Sequence, residues 1–240
     1  MANQLNRIRL GLIVNPLAGI GGAVGLKGSD GSDIVQQALA LGAEKKAASR
    51  VAITLEHLQP VADAIDWYTW GGEMGEQELR AAGYSPQVLG QPQAGLSQAS
   101  DTAAAAAVLK NAGVDLILFA GGDGTARDIL RAVGLSVPVL GIPAGVKIHS
   151  GVYAVHARGA AEIVLKMLRG ELVSVASMEV RDIDEDAFRH DRVQARHFGE
   201  LRVPAEGRYL QHVKCGGREV EELVLQEVAA HVIDQLQPDV

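Results

Sequence analysis

One cysteine, Cys215, in 240 residues excludes an internal disulfide and suits a reducing cytosol, where it is expected as a small buried residue. Aromatic residues make up only 4% of the chain against 48% hydrophobic residues overall, so its core must consist mostly of Ala, Val, Leu and Ile. Surplus positive charge is missing too. The formal net charge is −7, which argues against a general nucleic-acid binder, because phosphate backbones reward excess Lys and Arg. A local basic patch for a phosphorylated small molecule stays compatible with that balance. Nowhere do about 18 apolar residues run together, and the apolar stretch in "MANQLNRIRLGLIV" is too short for a signal peptide. These absences predict a soluble cytoplasmic protein with neither membrane nor nucleic acid among its partners, built as one large domain or two modest ones.

What is present alternates between strand and helix signals. "RLGLIVN", "IDWYTW", "PQVLG", "VDLILFA" and "VPVLGIP" read as strands. Helix patterns cover about 32–41 and 47–58, a short stretch after "GGEMG", and "SDTAAAAAVLKNAG", with Ser100 or Asp101 as its cap and Gly113 as its stop. Such alternation predicts βαβ units and an open parallel sheet, an α/β nucleotide-binding domain over residues 1–171. After Leu172 the texture changes. "LVSVASMEVRDID" and "RVQARHFGELRVP" alternate every second residue, as antiparallel strands do, and "REVEELVLQEVAAHVIDQLQ" returns to helical spacing. Residues 172–240 therefore read as a β-rich segment plus a helix, an incomplete second domain. The closing "QPDV" resembles a strand cut at its first residues, which predicts a truncated chain. The apolar face of the last helix would then be covered by a partner chain, as in a homo-oligomer.

The chemistry concentrates in "LILFAGGDGTARDIL". Turns from strand to helix at the carboxyl edge of a parallel sheet are where open α/β proteins bind ligands. Gly121 and Gly122 let backbone N–H groups approach an anion, and the helix expected from Thr125, with Asp128 as capping-box partner, favours phosphate at its N-terminus. Asp123 puts negative charge into that setting. This suits a Mg²⁺ ligand or a base that takes the proton of an attacking hydroxyl; the plain alternative is a tight turn with an exposed Asp. A second glycine-rich loop, "NPLAGIGGAVGLKGSDG", also follows a strand but is neither a dinucleotide fingerprint nor a P-loop. A third, "GIPAGVKIHSGVYA", offers Lys147 and His149 near an expected helix start. All three should leave the same sheet edge.

An Asn-Pro-x-Ala-Gly loop, then "GGDGT", then a Pro-x-Gly turn resembles the superfamily of NAD kinases and diacylglycerol-type lipid kinases. "GGEMG", "LILFAGGDGTARDI" and "GIPAGVKIHS" are most similar to its ATP–NAD kinase-like branch, which includes the AcoX proteins of acetoin operons. The resemblance implies an α/β nucleotide domain followed by a β-rich domain, with the site between them. It implies that Gly121, Gly122, Gly124 and Thr125 cradle donor phosphates, and that Asn15, Gly19, Gly21 and Gly22 border the nucleotide. Asp123 would activate the acceptor or organise Mg²⁺, with Lys147, His149 and, more weakly, Glu73 on the acceptor or phosphate side. The donor would be ATP or polyphosphate and the acceptor NAD or a related metabolite. Two departures stand out: the lipid kinases have Asn-Asp where this chain has Lys147 and His149, and the Asn-Glu pair of NAD kinases occurs nowhere here. Both bear on the acceptor. A kinase of another small alcohol and a non-catalytic nucleotide-binding accessory of acetoin catabolism are the rival expectations.

Other signals carry less. "RDIDEDAF" lacks the Gly and Glu of a calcium loop and reads as an acidic turn. Arg189, Arg192, Arg196 and Arg202 read as the wet face of a strand, or else as a phosphate clamp. His212 and Cys215 are too few ligands for zinc. The aromatics of "IDWYTW" read as core, with ring stacking as the alternative.

Overall fold

The computed structural model describes residues 5–20, 32–93, 97–145, 148–171, 174–183 and 195–211. Five strands form one parallel sheet: β1 (Ile8–Val14), β2 (Ile65–Thr69), β3 (Gln87–Val88), β4 (Leu116–Gly121) and β5 (Val139–Pro143), in the order β3-β2-β1-β4-β5. Every residue of β4 is buried, and β1 is buried except at Arg9. Strands covered on both faces read as unbroken apolar runs, which is why these two were legible. Helices α1 (Ser32–Ala40), α2 (Lys46–Leu58), α3 (Glu76–Ala81), α4 (Ala99–Asn111), α5 (Asp123–Val133) and α6 (Ala157–Leu168) fill the connections. α2 packs with α6 over β1, β4 and β5, while α4 packs with α5 over β1, β2 and β4. α4 lies close on the sheet because Gly11 leaves room for Leu109, whose side chain would stand 3.0 Å from a Cβ there. The core is almost wholly aliphatic, with Phe119 and Tyr153 as its largest fully buried side chains. Trp67 and Trp70 are buried as well, in keeping with core packing.

Beyond the sheet, β6 (Val175–Ile183) and β7 (Ala195–Pro204) pair antiparallel, as the alternating pattern predicted. Val180, Leu201 and Val203 of this pair join the same apolar cluster as the sheet. Arg196 lies on an exposed position of β7, its guanidinium against the Phe198 ring. Arg189, Arg192, His212 and Cys215, and the helix expected from Arg218 to Gln237, lie outside the described residues.

Three helix starts differ from expectation. α4 is capped by Gln98, not by Ser100 or Asp101, because Asp101 reaches back from the third helical position and accepts the Gln98 N–H at 2.9 Å. α5 opens at Asp123 with Gly122 as cap, so Thr125 sits inside the first turn, not at the cap, and Asp128 lies beyond the third helical position where a capping-box partner stands. α6 starts at Ala157, capped by His156, so His149 lies in the preceding loop and not at a helix start.

Candidate functional site at the carboxyl edge of the sheet

A sheet ordered β3-β2-β1-β4-β5 reverses direction between β1 and β4, and ligands of open α/β proteins bind in the crevice beyond that switch point. Both glycine-rich loops leave the sheet there, after β1 and after β4, and the third leaves the neighbouring end of β5. They come together on glycines. A Cβ on Gly19 would stand 2.8 Å from the Ala144 carbonyl oxygen, and one on Gly145 would stand 3.1 Å from Gly122 Cα. Gly19 also has φ +70°, a backbone conformation that only glycine adopts without strain. A side chain on Gly19 or Gly145 would push the loops apart, whereas a Cβ on Gly122 would meet Gly145 Cα only at 3.6 Å.

Polar contacts lock the same junction. Asn15 Nδ2 donates to Thr125 Oγ1 at 3.0 Å, and Asn15 Oδ1 accepts the Leu17 N–H at 3.1 Å. The Asn15 amide thus spends its hydrogen bonds joining the first loop to the α5 first turn, a positioning task. Gly121 is glycine for packing, since a Cβ there would overlap the Thr125 side chain. Gly124 differs: a Cβ would meet nothing nearer than Asp182 Oδ2 at 3.9 Å. The glycine cap itself offers no side-chain acceptor to the first N–H groups of α5, and every helix leaves those groups without intrahelical acceptors. A ligand oxygen can satisfy them.

Asp123 is the first residue of α5, and its side chain is only 5% exposed. Its carboxylate turns across to the loop after β5. Oδ2 accepts the His149 N–H at 2.8 Å and lies 3.2 Å from His149 Nδ1, while Oδ1 accepts the Ser150 N–H at 3.1 Å. The expected alternative, an exposed Asp on a tight turn, does not occur. The Ser150 hydroxyl in turn donates to the Arg181 carbonyl oxygen at 2.8 Å and accepts the Arg181 N–H at 3.0 Å, so β6 clamps the loop from the other side.

Asp123 fits poorly as the protein ligand of Mg²⁺. Oδ2 already meets both the His149 N–H and Nδ1, and Oδ1 accepts the Ser150 N–H, so little of the carboxylate is left for a cation. Among the described residues no group of three or more His, Cys, Asp and Glu side chains is gathered for a metal. Glu73 lies in the turn after β2 and is held elsewhere: both its oxygens are 2.9 Å from Lys45 Nζ. Gly21, Gly22 and Lys147 lie outside the described residues.

Two partners of this corner escaped the reading of the sequence. Tyr153, fully buried, donates its hydroxyl to the Gly122 carbonyl oxygen at 2.6 Å and fixes that peptide plane beneath the helix start. Burial, with the negative charges of Asp123 and Asp182 nearby, holds its phenol well above the usual range, so it remains a donor. Its ring lies against Gly141, where a Cβ would overlap it, and this explains a glycine in the middle of β5. The second is Asp182, part of the expected acidic turn, which pairs with Arg127 of α5 at 3.0 Å. No local signal marks either pairing, because each partner lies on a separate element.

A family model described as the ATP-NAD kinase N-terminal domain matches residues 10–172, from within β1 through the rest of the sheet, the three loops and α6. No curated protein and no solved structure matches the chain. The matched stretch is well over half of the sequence and contains the whole glycine junction. The chain belongs to the ATP-NAD kinase family.

Proposed function

We propose that the protein transfers the γ-phosphoryl group of ATP to a hydroxyl of NAD or a related metabolite. The observation that carries this reading is the meeting of three glycine loops at the sheet's switch point, beside a helix start whose glycine cap has no side chain. Such a place receives phosphate through backbone N–H groups, and the helix dipole favours the charge. Gly124 and the first turn of α5 hold the donor phosphates. Gly19 and Gly145 keep the loops close enough to shape the crevice, and Asn15, Thr125 and Tyr153 hold its floor. Mg²⁺ arrives as part of the nucleotide substrate, as it commonly does when bound mainly by phosphates. The acceptor lies on the side of His149, whose loop is anchored by Asp123 and β6.

A second acceptor reading, another small alcohol, is favoured by the lack of any Asn-Glu pair in the sequence. The test is to incubate the protein with Mg²⁺ and labelled ATP, or polyphosphate, and a panel of acceptors headed by NAD. Label in NADP supports the first reading and label in another alcohol the second. Tight nucleotide binding without transfer to any acceptor would overturn both and leave a binding protein, the role an accessory of acetoin catabolism would have.

A further inference from the structure

The Asp123 carboxylate is the acid residue of the "GGDGT" turn, yet it has little room to meet an alcohol. Its side chain is 5% exposed, and both oxygens are engaged by backbone N–H groups of the loop after β5. The His149 ring beside it is 16% exposed, and its Nε2 makes no hydrogen bond among the described residues. An ionised carboxylate can only accept, so a hydrogen bond across the 3.2 Å to His149 Nδ1 requires the proton on Nδ1. That leaves Nε2 with a free lone pair. The His149 main-chain N–H donates to the same carboxylate oxygen at 2.8 Å, which fixes the ring's attachment point as well as its edge. A nitrogen base whose far side is held by a buried carboxylate has the arrangement that prepares imidazoles for proton abstraction.

We propose that His149 is the catalytic base of the transfer and that Asp123 is its positioning residue. This rests on the phosphotransferase reading above and assigns the roles within that site. In the step, Nε2 takes the proton of the acceptor hydroxyl as the acceptor oxygen forms its bond to the γ-phosphorus of ATP. The bond from that phosphorus to the β,γ-bridging oxygen breaks, and its electron pair leaves with ADP. The imidazolium that forms is stabilised by Asp123 and later releases its proton to water. Among the described residues, the charged and titratable groups on the elements packed around this corner include Asp123 and Arg127 on α5, Tyr153 in the loop, and Glu179, Arg181 and Asp182 on β6.

The experiment compares wild type, His149→Gln and Asp123→Asn for kcat, KM and their pH profiles, with the acceptor found by the panel. His149→Gln is expected to lower kcat roughly 10²-fold or more, to leave KM for ATP within a few-fold, and to erase the acid limb of the profile. Asp123→Asn is expected to lower kcat while keeping that limb, since the base is still present. The reverse pattern, with the limb kept in His149→Gln and lost in Asp123→Asn, would make Asp123 the base and overturn the proposal. So would His149→Gln turnover within about threefold of wild type, a change too small for loss of a base. If a variant fails to fold, ¹⁵N spectra of the wild-type histidines decide independently of activity. With the ring neutral, protonation at Nδ1 supports the pair and protonation at Nε2 overturns it. Absence of turnover with every acceptor would overturn the phosphotransferase reading, and the catalytic role with it, while the same spectra still show whether the pair exists.

Discussion

Glycines in a single turn can be present for unrelated reasons, and here the geometry separates them. Gly121 has no space for a side chain because Thr125 occupies it, whereas Gly124 has space that the fold leaves open. Gly121→Ala should therefore lower stability by about 1–3 kcal/mol, the usual scale of overpacking, which a melting curve will show. Gly124→Ala should do the opposite. Alanine in a helix is better than glycine by roughly 0.5–1 kcal/mol, so the melting temperature should hold or rise. In the proposed site the added methyl would stand where a phosphate oxygen approaches, and nucleotide affinity measured by calorimetry should fall at least tenfold, about 1.4 kcal/mol. Unchanged affinity would move the ligand away from this turn. Tyr153→Phe removes a donor to the Gly122 carbonyl oxygen, which also accepts the Ala126 N–H at 3.2 Å. A loss of about 0.5–1.5 kcal/mol is expected, with a larger rise in KM for ATP than for the acceptor.

Among the elements, α6 carries a pH dependence in its cap. His156 Nδ1 accepts the Gly159 N–H at 2.9 Å, which only the neutral ring can do. Burial first, then the positive charges of Arg158 and Arg50, hold its pKa below the ordinary 6.5. The unfolded chain therefore binds this proton more readily than the native one. The cap's contribution is complete above about pH 6.5 and is lost as pH falls through the native pKa. His156→Ser keeps a capping oxygen without the titration, so its melting temperature should fall less than wild type's on acidification below 6.5. This cap was not foreseen, and the reason is general. The apolar runs of β1, β4 and β5 and the Ala-rich α4 declare themselves locally, so the sheet and most helices were legible. The starts of α4, α5 and α6 depend on which side chain reaches which N–H. The Asp123–His149 contact joins residues 26 apart in sequence across β5, and no spacing rule encodes it. The glycine loops and Asp123 were thus visible as a candidate site, while what Asp123 touches was not.

For the molecule as a whole, the question is how the hairpin of β6 and β7 is tied to the sheet that carries the site. Arg127 does part of this: it pairs with Asp182 of β6 at 3.0 Å, and its guanidinium lies 5.6 Å from the Phe198 ring centre of β7. Both charged side chains are 18% exposed, so the pair is shielded without being fully buried. Arg127→Met should cost about 1–3 kcal/mol through the charged hydrogen bond it removes. Hydrogen exchange should then quicken in β6 and β7 before it changes in β1 or β4; uniform acceleration would show that hairpin and sheet open as one unit. The placement of the two tryptophans has a further, optical consequence. Trp67 is in β2 and Trp70 directly follows it, both buried, while the crevice lies beyond β1, β4 and β5 and is floored by Tyr153. Intrinsic emission should therefore be that of shielded indoles and should report the melting of the β2 side of the sheet faithfully. It should stay nearly silent when nucleotide enters, so a ligand titration will need a label placed on the β5 side.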